Sequence, residues 1–187
     1  MRKTILFAFA LMTALAMNAQ QDATVKFVLN KNQSVKIKSA FTQTNTDPVM
    51  KKTEQMKGTL TFNGVRQMEM IYSQPDGDKF VIDGNTLERV KGKTKNKVDL
   101  TKVKNMAALA DLLCNSMMGR IEEIQTSTGC ELSYTAGKLT HNLTFTAPKK
   151  GKKSYYKQVE LHYDKKSGRI VYMKLTEMSG KSSEYTM

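Results

Sequence analysis

A mainly β fold with a helical lid (α+β) is what this sequence predicts: an antiparallel meander of about ten strands, a small helix before it and one helical insertion in its middle. Three observations carry that prediction. Apolar and polar residues alternate with period two over most of the chain beyond Val35. Turn signals such as Asn63-Gly64, Asp83-Gly84-Asn85 and Ala136-Gly137 separate the alternating runs. One interior stretch, Val103 to Met118, switches to helical spacing.

The elements follow in order. Val25, Val28 and Leu29 are helically spaced behind Asp22, a residue suited to an N-cap, so a short helix is expected over Asp22 to Lys31. Val35, Ile37, Ser39 and Phe41 then alternate with Lys36, Lys38, Ala40 and Thr42 in the first strand. Asp47-Pro48 turns the chain into a second run through Met56, Gly58, Leu60 and Phe62. Asn63-Gly64 marks a tight hairpin, and Met68, Met70 and Tyr72 share one face of the third strand. Pro75 to Asp78 breaks that strand, and Phe80–Ile82 and Thr86–Val90 flank the next hairpin. In the helical stretch, Met106, Leu109, Ala110, Leu112, Leu113 and Met117 form one apolar face, Gly119 closes it, and a further turn through Ile121 and Ile124 is expected. Strands then fit Glu131–Thr135, Lys138–Ala147, Tyr155–Asp164, Arg169–Glu177 and Lys181–Tyr185, joined by short turns.

Amphipathic strands leave one sheet face in need of a cover, and two short helices are little to cover so wide a sheet. Either the sheet closes on itself or an apolar cavity remains between sheet and helices. No internal repeat or long linker divides the chain, so one domain is expected over residues 20–187.

The first nineteen residues read as an address. Arg2 and Lys3 precede an apolar run from Ile5 to Met17, with small residues at Ala16 and Ala19, the pattern of a secretory signal peptide cleaved after Ala19. The run is short for a membrane span. No cysteine lies near the cleavage point, so a lipobox is absent. Export to a periplasm is the expected localisation.

The chain has 30 Lys+Arg against 17 Asp+Glu, a formal charge of +13. Nucleic acid is the usual partner of such a surplus, but an exported chain seldom meets any, so no nucleic-acid partner is expected. An anionic membrane surface or an acidic protein fits better. Lys91, Lys93, Lys95 and Lys97 alternate as on a solvated strand face or a charged edge, while Lys149, Lys150, Lys152 and Lys153 surround Gly151 in an expected loop.

Catalytic groups are scarce. His141 and His162 sit inside expected strands, outside any motif, and Glu122-Glu123 are adjacent residues that do not share a helix face. No P-loop, GxGxxG, HExxH or GxSxG occurs. Two histidines and two cysteines leave little for a metal site, so neither an enzyme, a cofactor nor a metal is expected. Cys114 and Cys130, sixteen positions apart, allow two readings: a disulfide pinning the helix to the sheet, worth roughly 3 kcal/mol, or two separately buried thiols. Of thirteen methionines, ten lie beyond the leader, among them Met68, Met70, Met106 and Met117. They suit either ordinary gap-filling in a core or the lining for a flexible apolar guest such as an acyl chain.

These residues also carry a resemblance. Ser39-Ala40-Phe41-Thr42-Gln43, then Gly58-Thr59-Leu60-Thr61-Phe62, resemble the opening of the LolA family, the periplasmic outer-membrane lipoprotein carriers. Met68-Glu69-Met70-Ile71-Tyr72-Ser73-Gln74-Pro75 and Phe80-Val81-Ile82-Asp83-Gly84 look like that family's strand ending in Y-x-x-P and the hairpin after it. Val159-Glu160-Leu161, Gly168-Arg169-Ile170 and Lys174-Leu175-Thr176-Glu177 resemble its final meander, so the likeness spans about residues 35–185.

The resemblance implies an incomplete antiparallel β-barrel of LolA/LolB type, with helices as a lid over a hydrophobic cavity. It implies a monomer that takes lipoprotein acyl chains, or another lipid, from an inner-membrane transporter and passes them to an outer-membrane receptor. The cavity lining is expected from Phe41, Leu60, Phe62, Met68, Met70, Tyr72, Met106, Leu109, Leu113 and Met117. In the family a basic residue before the third strand is implicated in holding the lid closed. This chain has Gly64-Val65 there, with Arg66 two residues on as the candidate lid or rim arginine. Two other classes stand beside the carrier: a non-enzymatic exported interaction module with a basic rim and a packed core, and a hydrolase with His141 or His162 beside a nucleophile.

Overall fold

Eleven strands form one antiparallel sheet in the computed structural model, which describes residues 19–148 and 155–187. Residues 1–18 of the expected leader, and the lysine loop with Lys149, Lys150, Lys152 and Lys153, lie outside the described residues. The strands are β1 (Ile37–Asp47), β2 (Lys52–Gly64), β3 (Gln67–Gln74), β4 (Asp76–Asp83), β5 (Thr86–Lys91), β6 (Thr94–Asp99), β7 (Glu131–Ala136), β8 (Thr140–Thr146), β9 (Tyr156–Asp164), β10 (Ile170–Glu177) and β11 (Ser182–Thr186). Three helices accompany them: α1, helical over residues 19–32, α2 (Lys104–Met118) and α3 (Ile121–Thr128).

The meander is two meanders. The sheet order is β6-β5-β4-β3-β2-β1-β11-β10-β9-β8-β7, so the last strand returns beside the first and welds the halves at the β1–β11 pair. The sheet stays open, with β6 and β7 as its edges. Register shifts at Lys57/Gly58, Phe62/Gly64 and Ile71/Ser73 insert bulges on either side of β3. Bulges bend a strand and raise its twist, and so help the sheet to curl.

β6 is the strand beyond the ten expected. Its sequence, Thr94-Lys95-Asn96-Lys97-Val98-Asp99, is almost wholly polar, and pairing with β5 holds it in place, helped by a Lys95–Glu88 contact of 3.2 Å. The second hairpin also differs from expectation. Gly64 still belongs to β2, with φ at 122°, and the turn residues are Val65 and Arg66, the latter left-handed at φ 50°. α2 and α3 stand as expected: Gly119, at φ 65°, ends α2 and sends its N–H to the Ser116 carbonyl.

The concave face is read from the register. One cross-strand row joins Tyr185, Gln43 and Met56, the next Phe41, Gly58 and Tyr72, the next Leu60, Met70, Phe80 and Arg89, and the last Phe62, Met68, Ile82 and Leu87. Gly58 is a glycine for a spatial reason. A Cβ there would land on the Ile71 carbonyl oxygen and within 2.9 Å of Phe41 Cε1. Its bare backbone lets the Phe41 and Tyr72 rings, two strands apart, meet edge-on at 5.3 Å.

The two halves of this face are filled unequally. Over β8–β10 the core is solid: Leu143, Phe145, Val159, Leu161 and Tyr163 are all fully buried. Three helical contacts fasten it. The Tyr163 hydroxyl donates to the Ser116 carbonyl of α2 at 2.9 Å. Asn32 at the end of α1 donates Nδ2 to the Gly168 carbonyl in the β9–β10 turn at 2.8 Å. Val28 of α1 lies so close to Gly119 that a Cβ there would come within 2.7 Å of Val28 Cγ1. In α2 burial is continuous only toward its C-terminal end, where Leu112, Leu113, Cys114, Ser116, Met117 and Met118 are buried; its first two turns are mostly exposed or half-buried. No helix among the described residues is long and apolar enough to cross a membrane.

Candidate functional site

Under the less buried half of α2 the sheet is not filled. A cavity of about 580 Å³ lies there, within the 300–1,000 Å³ range of small-molecule sites. Its apolar wall comes from Met56, Met70, Tyr72, Phe80 and Val90 on β2–β5, from Tyr185 on β11, and from Met106, Leu109 and Leu113 on the helix above. Strands on both sides of the β1–β11 weld line one hollow.

The residues expected to line a cavity divide into three groups. Met70, Tyr72, Met106, Leu109 and Leu113 line it. Phe41, Leu60, Met68 and Met117, with Met70 and Leu113 again, surround a second void of about 10 Å³ together with Met173, Tyr185 and Met187. That volume is no more than one water would need, so these side chains are packed core. Phe62 lines neither and is fully buried. Sequence reasoning missed Met50, Met56, Phe80, Val90, Tyr155 and Tyr185. Alternation places Tyr185 on the same strand face as Ser183, but the pairing of β11 with β1 is what turns that face to the cavity.

The mouth is charged and largely neutralised by pairs. Lys52 meets Glu54 at 2.6 Å and Lys181 meets Asp47 at 2.8 Å, so the ammonium of each lies above its ordinary pKa and each carboxylate below, the shared hydrogen bond being the main cause. Lys79 contacts Glu88 at 2.8 Å. Deeper, the Tyr72 hydroxyl donates to Gln43 Oε1 at 2.6 Å and the Gln43 amide donates to Asn45 Oδ1 at 2.9 Å, so the buried polar groups of the wall satisfy one another. Burial raises the Tyr72 hydroxyl far above its ordinary pKa and pushes Tyr185 up to about 12. Both stay neutral at any physiological pH.

Arg66 sits at the lid. From the β2–β3 turn its Nε and Nη2 donate to the Asp111 carboxylate of α2 at 2.9 and 3.0 Å, and Nη1 donates to Asn85 Oδ1 at 2.7 Å. One guanidinium thus ties two hairpins to the middle of the helix. Cys114, one turn beyond Asp111, is buried against the same hairpin, and burial pushes its thiol up to about 11.

The disulfide allowed by the sequence is not formed: Cys114 and Cys130 are both thiols. The reason is direction. Cys114 faces the Arg66 backbone, whereas the Cys130 sulfur turns to the Thr128 carbonyl at 4.0 Å.

Neither histidine lines the cavity. His141 shares a hydrogen bond with the Tyr134 hydroxyl at 3.1 Å and meets the Phe27 ring edge-on, and His162 stacks on Tyr172 at 4.5 Å. Partial burial lowers the pKa of both. Among the described residues no group of three His, Cys, Asp or Glu side chains could hold a metal ion. What the site offers is an apolar pocket with a polar mouth and a helical cover.

A family model described as outer membrane lipoprotein carrier protein LolA matches residues 31–187. No curated protein matches the chain in sequence. Among solved structures the chain is similar to the LolA superfamily protein NE2245 from Nitrosomonas europaea, at 10% identity over 87% of this chain and 90% of that one, with a TM-score of 0.38. It is similar to the lipoprotein LppX of Mycobacterium tuberculosis (12% identity, 88% and 91% covered, TM-score 0.41). It is also similar to LprF of Mycobacterium bovis (11%, 90% and 91%, TM-score 0.45).

Proposed function

The chain belongs to the family of the outer membrane lipoprotein carrier protein LolA, and from that premise we propose that it is a periplasmic carrier holding acyl chains beneath α2. The observation that carries this reading is the 580 Å³ hollow, walled on one side by the curled sheet and on the other by Met106, Leu109 and Leu113. Burying a chain of roughly fourteen methylenes, at about 0.8 kcal/mol each, is enough to hold a lipid tail in water. The carrier accepts acyl chains of lipoproteins, or another lipid or amphiphile, at the inner membrane from a transporter and delivers them to an outer-membrane receptor. The leader pattern in the sequence supports export, and a monomer suffices because the hollow is complete within one chain.

Binding is tested with the methyl ester of cis-parinaric acid, a fluorescent acyl probe without charge. It is expected to bind saturably and to stabilise the fold by about 2.7 kcal/mol at a hundredfold excess over Kd. A fold whose melting temperature ignores the probe, with no saturable fluorescence, is a filled interaction module and not a carrier.

In this reading Arg66 is the lid clasp, supported by its two-pronged grip on Asp111. The Arg66 and Asp111 side chains are 26% and 40% exposed, so solvent screens the pair and its worth is modest, about 0.5–1 kcal/mol. Arg66→Leu is expected to speed probe release two- to fivefold and to hasten hydrogen exchange in the first half of α2, leaving exchange in β8–β10 unchanged. Equal rates in the variant and the parent would remove the clasp from the mechanism.

A further inference from the structure

The acids around the cavity mouth all have partners. Asp47 and Glu54 are ion-paired, Asp78 accepts the Gly92 N–H at 2.6 Å, and Glu177 accepts the Ser179 hydroxyl at 3.0 Å. The cations are not all so matched. Arg89 and Lys91 line the cavity, and neither side chain makes an ion pair or hydrogen bond among the described residues, although the charge of Lys91 helps to lower the pKa of Glu54. They are two apart on β5, so they point to the same side of the sheet, about 7 Å from each other along the strand.

The place of Arg89 is unusual. It ends the inward row Leu60, Met70, Phe80, directly opposite Phe80, and is itself exposed, so a cation stands at the water-facing end of an apolar row. Its charge is felt across the hollow: it opposes the rise that burial imposes on both the Tyr72 and the Tyr185 hydroxyls. A cation at the water-facing end of an apolar wall, with no acid paired to it among the described residues, suits an anion that arrives with an apolar tail.

We propose that this cavity takes an amphiphile with an anionic headgroup, a carboxylate or phosphate monoester, whose tail lies along Met70, Phe80 and Leu113 while Arg89, seconded by Lys91, holds the headgroup at the mouth. The inference rests on the carrier reading and deepens it by naming the chemical class of the cargo.

The test compares cis-parinaric acid at pH 8 with its methyl ester, two probes with the same tail. The wild type is expected to bind the acid about tenfold more tightly than the ester, with the advantage shrinking as salt is raised. Arg89→Gln is expected to abolish the difference while leaving ester affinity unchanged, and Arg89→Lys to restore most of it. Competition by hexadecanoate and by hexadecyl phosphate tells which anion is preferred, and displacement by either one at lower concentration than by hexadecanol supports the site. Equal affinity for acid and ester in the wild type overturns the headgroup site alone and leaves the carrier standing. An equal loss of both probes in Arg89→Gln also overturns it, because the residue would then only shape the pocket. Failure of both probes to bind the wild type overturns the carrier reading and the headgroup site together.

Discussion

Gly58→Val is expected to destabilise the protein by about 3 kcal/mol or more, read as a fall in the urea midpoint at unchanged m. The added atoms meet backbone, which cannot rotate away. A Cβ at this position lands on the Ile71 carbonyl oxygen and presses on the Phe41 ring from 2.9 Å. Relieving the clash means separating β2 from β3 or parting the Phe41 and Tyr72 rings, now edge-on at 5.3 Å. Both rings belong to the boundary between the solid core and the hollow, so the damage reaches the pocket as well. A variant within about 1 kcal/mol of the parent would show that this crossing is not closely packed.

Leu109→Glu is expected to lower affinity for the parinaric ester at least a hundredfold while leaving the melting temperature within a few degrees of the parent. Leu109 lies on the underside of α2, lines the cavity and is only half-buried, so a carboxylate there can reach water in the empty protein. With an acyl chain in place it cannot, and an unpaired charge facing hydrocarbon costs several kcal/mol. Met70 is the less informative position for the same test. It is 4% exposed, and a charge there would threaten the fold before it reported on binding. Retained affinity in a folded Leu109→Glu protein would mean that the chain lies elsewhere.

Much of this molecule is legible in its sequence, and what was missed has physical reasons. Period-two patterning placed ten strands because each has an inward apolar set, as Met68, Met70 and Tyr72 show on β3. β6 has no such set. Its lysines hold a strand only because β5 offers a free edge and Glu88 a charge partner. The turn after β2 was misplaced by two residues because Asn63-Gly64 is the stronger local turn signal. Tertiary contacts decide otherwise: Arg66 takes a left-handed conformation from which it reaches Asp111 and Asn85 together.

The site divides in the same way. Leu109, Leu113 and Met70 could be chosen from local periodicity, since each is the inward residue of its own element. Tyr185 and Tyr155 could not, because what brings them to the cavity is the pairing of β11 with β1 and of β9 with β10, contacts more than a hundred residues or a whole hairpin away. Phe62, by contrast, has the periodicity of a lining residue but sits in a row with Met68, Ile82 and Leu87, one step toward the packed end. Nothing in alternation distinguishes a wall from a floor.

In the proposed carrier, the uneven filling of the concave face bears on how cargo would be exchanged. Asn32, Tyr163 and the Val28–Gly119 approach moor α1 and the far end of α2 toward the β9–β10 side, while the first two turns of α2 are mostly exposed or half-buried and the solvent-screened Arg66–Asp111 pair grips the helix only at its middle. That arrangement is a hinged jaw, in which sub-global opening is expected at the weakly held end, at a fraction of the free energy of unfolding, with the moored end staying shut. Loading and unloading then need not melt the fold, and the stability of the carrier and the grip on its passenger can be tuned by separate residues.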